Sequence, residues 1–331
     1  MVKYCFALSL IWTALVALFI SGCATVPVEI QDGLYYRSKD YVVYQFRHGD
    51  TAESIAENFL GDPFKAWVIE EANQKLVPDE WVVVPLIQRN RGGVYRHGVQ
   101  QVPILCYHRF GNGCSSPLCI PADIFERQMK YLRDNGYHVV SPKQLLAFLN
   151  FKEPLPKKSV MITIDDGYRS VYEIAYPILK KYGYPATLFI YTNYVGVSKK
   201  AITWEQLREL KDDGFTIGSH TILHSDLSKQ GDDESKDAYL MRLRRETDRS
   251  KQIIDRKLNQ DTYIFAYPFG RANHSAVLMT RKAGYQLAVT VRRGGNAFYE
   301  NPFMLHRDMI LKRDMKTFKR RLKTFQRLSF R

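Results

Sequence analysis

Two short stretches hold the residues best suited to chemistry. The first is Thr163-Ile164-Asp165-Asp166-Gly167-Tyr168, and the second, about 55 residues further on, is His220-Thr221-Ile222-Leu223-His224. Adjacent carboxylates repel each other unless a cation or a proton relieves them. Two imidazoles four residues apart reach one ion if the turn that carries them is helical. Each stretch alone has a plainer reading, as a solvated Asp-Asp turn or as paired surface histidines. Together, two Asp and two His at successive strand ends lead to the expectation of a metal site.

The elements that must position these groups are legible in the hydrophobic pattern. Apolar runs at 103–107, 160–164, 186–191, 216–218, 263–266, 286–291 and 309–311 read as strands. Helical spacing separates them at 125–135, 171–182, 204–212, 234–258 and 276–283. Repeated strand–helix units mean parallel strands, hence the α/β class, and six or seven of them suit a barrel better than an open sheet. Asp165 and His220 then follow directly on strand ends, where such barrels carry their chemistry.

On these two motifs the span 102–310 resembles the NodB-homology polysaccharide deacetylases, carbohydrate esterase family four. In that family a Thr-x-Asp-Asp-Gly motif supplies a base and a ligand, and a His-Ser/Thr-x-x-His motif supplies two ligands. The resemblance implies Asp165 as general base, with Asp166, His220 and His224 holding a divalent ion. That ion is usually zinc in the family, and in some members cobalt, nickel or iron. It implies an irregular (β/α)7 barrel that removes N-acetyl groups from an extracellular N-acetylhexosamine polymer. Peptidoglycan and a poly-N-acetylglucosamine-type exopolysaccharide are the two substrates to weigh.

A third stretch, Phe265-Ala266-Tyr267-Pro268-Phe269-Gly270, departs from the Arg-x-Pro-Tyr of many members and resembles the subgroup that includes poly-N-acetylglucosamine deacetylases. Ala266 cannot orient the base. The backbone N–H of Phe269 can still donate to an oxyanion, while Tyr267 and Pro268 are expected along the substrate groove, with a structural Pro turn as the plainer reading. In Leu305-His306-Arg307, neighbouring side chains face opposite ways. Arg307 is expected to face inward, beside the groove, and to orient Asp165 in place of the missing Arg. The acid for the leaving amine is then expected to be His108, at the end of the strand 104–107, with His306 as the alternative. A competing function is a glycan-binding envelope lipoprotein whose barrel has lost its activity.

The remaining sequence sets compartment and partners. Residues 1–22 read as a lipoprotein signal peptide, with Lys3, a 16-residue apolar run at 5–20, and Ser21-Gly22 before Cys23. That run falls short of the ~20 residues needed to span a bilayer. Small residues before a cysteine resemble a bacterial lipobox, so Cys23 is the expected lipidation site and membrane link. Ala24 resembles lipoproteins sent to the outer membrane, facing the periplasm. In that oxidising compartment Cys114 and Cys119 can close a disulfide loop, whereas Cys106, inside an apolar strand, reads as a buried thiol.

Residues 23–39 read as a tether and 40–87 as a small strand–helix–helix–strand unit. Gly49-Asp50-Thr51, Ile55-Ala56, Ala72-Asn73 and Val84-Pro85 resemble a LysM domain, which implies binding to N-acetylglucosamine-containing glycans. A spacer without a ligand is the plainer reading. Residues 88–101 read as a linker and 311–331 as a basic C-terminal helix. Of the net charge of +14 in 331 residues, that tail holds nine cations against one Asp. The body is therefore only mildly basic, so no nucleic-acid partner is expected, and the chain is expected to be a monomer. Met315, Phe318, Leu322 and Phe325 fall at helical spacing, for docking on the barrel or for lying on an anionic membrane.

Overall fold

The computed structural model describes residues 35–73, 75–87 and 90–328. The stretch read as a signal peptide, Cys23 and most of the stretch read as a tether lie outside the described residues. The chain divides into two compact units, 1–87 and 88–331. Among the described residues, no helix is long and apolar enough to cross a membrane.

In the first unit the order is β1 (Tyr35–Arg37), β2 (Tyr41–Gln45), α1 (Ala52–Leu60), α2 (Ala66–Ala72) and β3 (Trp81–Pro85). The strands form one antiparallel sheet, β1-β2-β3. β1 belongs to a stretch read from sequence as tether. Thr51, with a reciprocal bond to Ser54, caps α1. The Asn73 side chain ties α2 to β3, donating to the Ile69 and Val83 carbonyls at 2.7 and 2.8 Å and accepting from the Val83 N–H. Val42, Ile55, Ala56, Ile69, Val82 and Val84 form its core.

The second unit opens with β4 (Val94–Tyr95) and β5 (Gly98–Gln100), then β6 (Val102–Tyr107), β7 (Arg109–Phe110), β8 (Cys119–Ile120) and α3 (Ala122–Asp134). A disulfide joins Cys114 to Cys119, and Cys106 is free and buried. Next come β9 (His138–Val139), α4 (Pro142–Leu149), β10 (Ser159–Ile164), α5 (Tyr176–Lys181), β11 (Thr187–Ile190), α6 (Trp204–Asp212) and β12 (Thr216–Ser219). The chain continues through α7 (Lys236–Arg244), α8 (Ser250–Leu258), β13 (Ile264–Ala266), α9 (His274–Lys282), β14 (Leu287–Val289), β15 (Gly295–Asn296) and β16 (Asp308–Met309). It closes with α10 (Met315–Arg321) and β17 (Phe325–Arg327).

The parallel strands run β14-β13-β12-β11-β10-β6, and β16 adds to β6 in parallel. Leu305 bridges to Val289 of β14, so the segment leading into β16 touches both ends of this curled sheet. Strand alternation sorts the side chains into two faces. Leu105, Tyr107, Ile162 and Ile164 pack outward against Phe125, Met129 and Leu132 of α3 and Leu207 and Leu210 of α6. Ile104, Met161, Phe189, Ile264, Leu287 and Leu305 pack in a second cluster with α4. Extending the second register places Thr163 and Asp165 after Met161, and Cys106 and His108 after Ile104.

Two expectations change. The stretch 88–101 is not a free linker, because β5 pairs with both β4 and β17. Residues 311–331 are not one helix: α10 has only seven residues, and the chain then turns to extend the sheet at β17. Phe318 and Leu322 are buried in the main core, so the apolar face of α10 docks on the core beside the curled sheet and is not presented to a membrane. Phe325, expected on that face, is exposed on β17.

Candidate active site

Asp165 emerges from β10 on the inner register and is 3% exposed. Arg307, fully buried, reaches it from the segment before β16 with two hydrogen bonds, Nη1 to Oδ1 at 2.7 Å and Nη2 to Oδ2 at 2.8 Å. The guanidinium is itself fixed, since Nε donates to the Thr290 carbonyl and Nη1 also donates to Thr163 Oγ1. Burial alone would raise the Asp165 pKa. Arg307 and, next, His220 overcome it and hold the carboxyl well below the usual carboxylate range. Asp165 is therefore an ionised carboxylate kept dry.

Asp166 follows with φ of 78°, a left-handed backbone that points its carboxylate away from its neighbour's direction. Gly167, also left-handed at φ 76°, completes the turn. Burial pushes the Asp166 pKa up to about 6, with Asp165 adding to the rise and His108 opposing it. The two adjacent carboxyls thus have opposite electrostatics.

The histidines come from β12 and the loop after it. His220 Nδ1 lies 2.7 Å from the Ala266 carbonyl, which fixes Nδ1 as the protonated nitrogen and leaves Nε2 as a lone-pair donor. Burial lowers its pKa to about 4 and also lowers that of His224, so both rings are neutral near pH 7. His220 Nε2 and His224 Nε2 lie 3.8 and 3.6 Å from Asp166 Oδ1. Donors bonded to one tetrahedral zinc at 2.0–2.1 Å are about 3.4 Å apart, so this donor set fits a divalent ion with small adjustment.

The loop between the histidines is not the helical turn that the spacing seemed to require. Thr221 and His224 are both left-handed, at φ 76° and 58°, and that is how the two rings converge, with centroids 4.7 Å apart. Such residues cost of order 1–3 kcal/mol each and persist only where surrounding contacts over-determine them. Here the contact is Glu246, fully buried, whose Oε2 accepts from the Ile222 and Leu223 N–H groups at 2.9 and 3.0 Å. Glu246 sits in a five-residue π-helical turn, Arg245–Arg249, within what the sequence suggests is one continuous helix. Nothing in local sequence links it to the histidines.

The other expected residues divide. His108 and Cys106 fall beside Asp165, their ligand atoms within 4.8 Å of one another, with Cys106 Sγ 3.5 Å from Asp165 Oδ2. His306 lies apart, lining a cavity near Gln101, because its neighbour Arg307 takes the inward direction. Phe269 is 54% exposed with its ring 4.8 Å from that of His224, at the mouth of the site. Tyr267 and Pro268, expected along the groove, are buried, Tyr267 between Phe265 and the core around Tyr285. Tyr267 stays on the face of Phe265, two residues before it, and the left-handed backbone of Phe269, at φ 58°, turns the chain out of that register. Arg307, also expected beside the groove, has no exposed surface from which to meet a substrate. An aromatic group the sequence reading passed over lies by His224: Tyr191 is 5.3 Å from it and stacks on Tyr194, which meets Tyr168. Its signal was Tyr191-x-x-Tyr194 directly after a strand.

Comparison with known proteins identifies the family. The sequence model of the polysaccharide deacetylase family matches residues 152–288. The Bacillus subtilis protein YxkH, which carries the name of a polysaccharide deacetylase, is 37% identical over 211 residues, 62% of this chain and 70% of its own length. A Staphylococcus aureus poly-β-1,6-N-acetyl-D-glucosamine N-deacetylase is 29% identical over 191 residues, 56% of this chain and 66% of its own. A Streptococcus pyogenes deacetylase solved with acetate superimposes with a TM-score of 0.61 at 29% identity, covering 67% of this chain and 98% of that one. The chain belongs to the polysaccharide deacetylase family and is a hydrolase of that kind.

Proposed function

We propose that the chain removes N-acetyl groups from an N-acetylglucosamine polymer outside the cytoplasm, with a divalent ion held by Asp166, His220 and His224. The observation that carries this is the pairing of an ionised, Arg-clamped Asp165 with three converging neutral or acidic ligand groups at one end of the sheet. When bound, such an ion supplies Lewis-acid polarisation of an amide carbonyl and of water. Asp165 takes the proton of the attacking water, and Arg307 keeps it ionised and fixed for that task. The Phe269 N–H, at the mouth of the site, donates to the developing oxyanion. His108, on the same register as Asp165, delivers a proton to the leaving amine. The C–N bond breaks and one water is consumed, acetate and the protonated amine form, and the proton Asp165 takes offsets the one His108 gives.

The substrate reading draws support from the Staphylococcus aureus relative, whose name states poly-β-1,6-N-acetyl-D-glucosamine. The exposed Phe269 ring and the Tyr191–Tyr194 stack offer apolar faces of the kind that pack on sugar rings. Zinc is the ion this donor set suits best. The first unit is a LysM-like glycan-binding module in this reading, with β1 added to the strand–helix–helix–strand order. The curled sheet is the seven-membered irregular barrel, and the Cys114–Cys119 disulfide accords with an envelope lipoprotein anchored at Cys23, a monomer facing the periplasm. Acetate release from peptidoglycan and from poly-β-1,6-N-acetylglucosamine, measured side by side, tests the substrate. Release from the second at ten times the rate of the first supports this reading, and the reverse order replaces it.

A further inference from the structure

The other end of the sheet carries a second feature. Gln101 precedes β6 and His108 follows it, so at about 3.3 Å per residue these positions are roughly 20 Å apart. At the Gln101 end lies a cavity of about 640 Å³, within the size range of small-molecule sites. Its lining includes Arg293, Arg320, Arg321, Lys323 and Arg327, against Glu300 and Asp308 as its carboxylates, an excess of three positive charges before His306 is counted.

The fold gathers these cations from separate stretches. Burial of Phe318 and Leu322 anchors α10 and so places Arg320 and Arg321. Gln101 holds the turn that follows, donating from its backbone N–H to Thr324 and from Nε2 to the Lys323 carbonyl. β17 brings in Arg327 by pairing with β5. Asp308, 6% exposed, is committed to Arg321 at 3.0 Å, and Arg321 Nε is buried with no hydrogen-bond partner among the described residues. No salt bridge among the described residues engages Arg293, Lys323 or Arg327. Like charges collected in excess of their counter-charges oppose folding, and an anion in the cavity relieves that opposition.

We propose that this cavity binds a polyvalent phosphate group, as a soluble phosphate ester or as the headgroup of an anionic lipid. Guanidinium forks match phosphate oxygens two at a time, and an excess of three charges favours an anion with more than one charge. Tyr299, Gln326 and Gln101 add polar groups to the lining. The site is independent of the deacetylation chemistry: Arg307 serves Asp165 from one face of its segment while His306 faces the cavity from the other.

The test is calorimetric titration of the full-length chain with pyrophosphate, with sodium chloride of equal ionic strength as reference. Parallel titrations use dihexanoyl phosphatidic acid, a phosphate monoester, and dihexanoyl phosphatidylcholine as monomers. Saturable pyrophosphate binding that falls at least tenfold in Arg293→Gln/Lys323→Gln/Arg327→Gln is the expected result. Binding of the phosphatidic acid but not the phosphatidylcholine, displaced by pyrophosphate, assigns the lipid source, and pyrophosphate alone assigns the soluble one. All three substituted residues are exposed, so the variant should fold and keep its acetate release from a soluble oligomer. No binding beyond chloride, or equal binding by the triple variant, overturns the proposal.

Discussion

Replacing Arg307 with Met removes the group on which Asp165 depends. The change keeps most of the side-chain volume but leaves a carboxylate that is 3% exposed with neither of its Arg hydrogen bonds, at 2.7 and 2.8 Å. Breaking a buried pair from one side typically costs about 3–5 kcal/mol. The sign of the pH dependence follows from the same contacts. In the native protein the folded Asp165 pKa lies below the unfolded value, so the stability from this pair is complete above the unfolded carboxylate range and is lost only as pH falls through the lower folded value. In Arg307→Met the strongest influence opposing burial is gone, and burial raises that pKa. The variant's deficit should therefore shrink as pH falls from 7.5 to 5.5, by up to about 1.4 kcal/mol per pH unit. Urea unfolding of metal-free protein at both pH values measures it. The difference between variant and native protein is the quantity to read, because Asp166, pushed up to about 6, titrates in both. Asp165→Asn/Arg307→Met should recover much of the loss. A deficit below about 1 kcal/mol, equal at both pH values, would refute the reasoning.

Asp166→Ala, His220→Ala and His224→Ala should each lower metal affinity and turnover together, whereas Asp165→Asn should keep the ion and lose most of kcat; ion content by mass spectrometry beside acetate release separates the two classes. Ligands must be deprotonated to bind, so zinc affinity of the metal-free protein should fall as pH drops through about 6, where Asp166 takes up its proton, approaching tenfold per pH unit, while His220, at about 4, stays neutral. Glu246→Ala frees the Ile222 and Leu223 N–H groups and should weaken zinc binding at least tenfold in calorimetry, with Glu246→Gln, which keeps one acceptor, in between. His108→Gln should lose the alkaline limb of the pH–rate profile while His306→Gln keeps it; the opposite pattern would move the acid to His306.

How much of this was legible in the sequence depends on how local each signal is. The Asp165-Asp166 and His220-x-x-x-His224 motifs are short, and the strands that carry them are apolar runs with a clear period, so order and register came out well. Even the inward direction of Arg307 follows from counting residues along one strand. What failed was non-local. β5 acquires its partners from β4 and from β17, more than 200 residues on, so a Gly- and Arg-rich stretch that reads as linker becomes sheet. α4, with Leu145, Phe148 and Leu149, fills the second core cluster, yet its short apolar run between loops gave no strong period. Tyr267 was placed in the groove by its aromatic type, but the register of β13 turns it into the core. Glu246 reaches the histidine loop only because a π-helical turn rotates it there, and its pattern of charged neighbours reads as a solvated face.

The central claim is that metal occupancy at three residues and amide hydrolysis at the fourth are one activity. Acetate and free amine are to be measured together from poly-β-1,6-N-acetylglucosamine oligomers, on chelator-treated full-length protein titrated with zinc. The account predicts no release without metal, release rising linearly to a break at one zinc per chain, equal amounts of acetate and amine, and less than about 1% of that rate in Asp165→Asn at the same zinc occupancy, a loss of two orders of magnitude as befits a missing general base. Full zinc binding with no acetate released, or release that Asp165→Asn leaves intact, would contradict it.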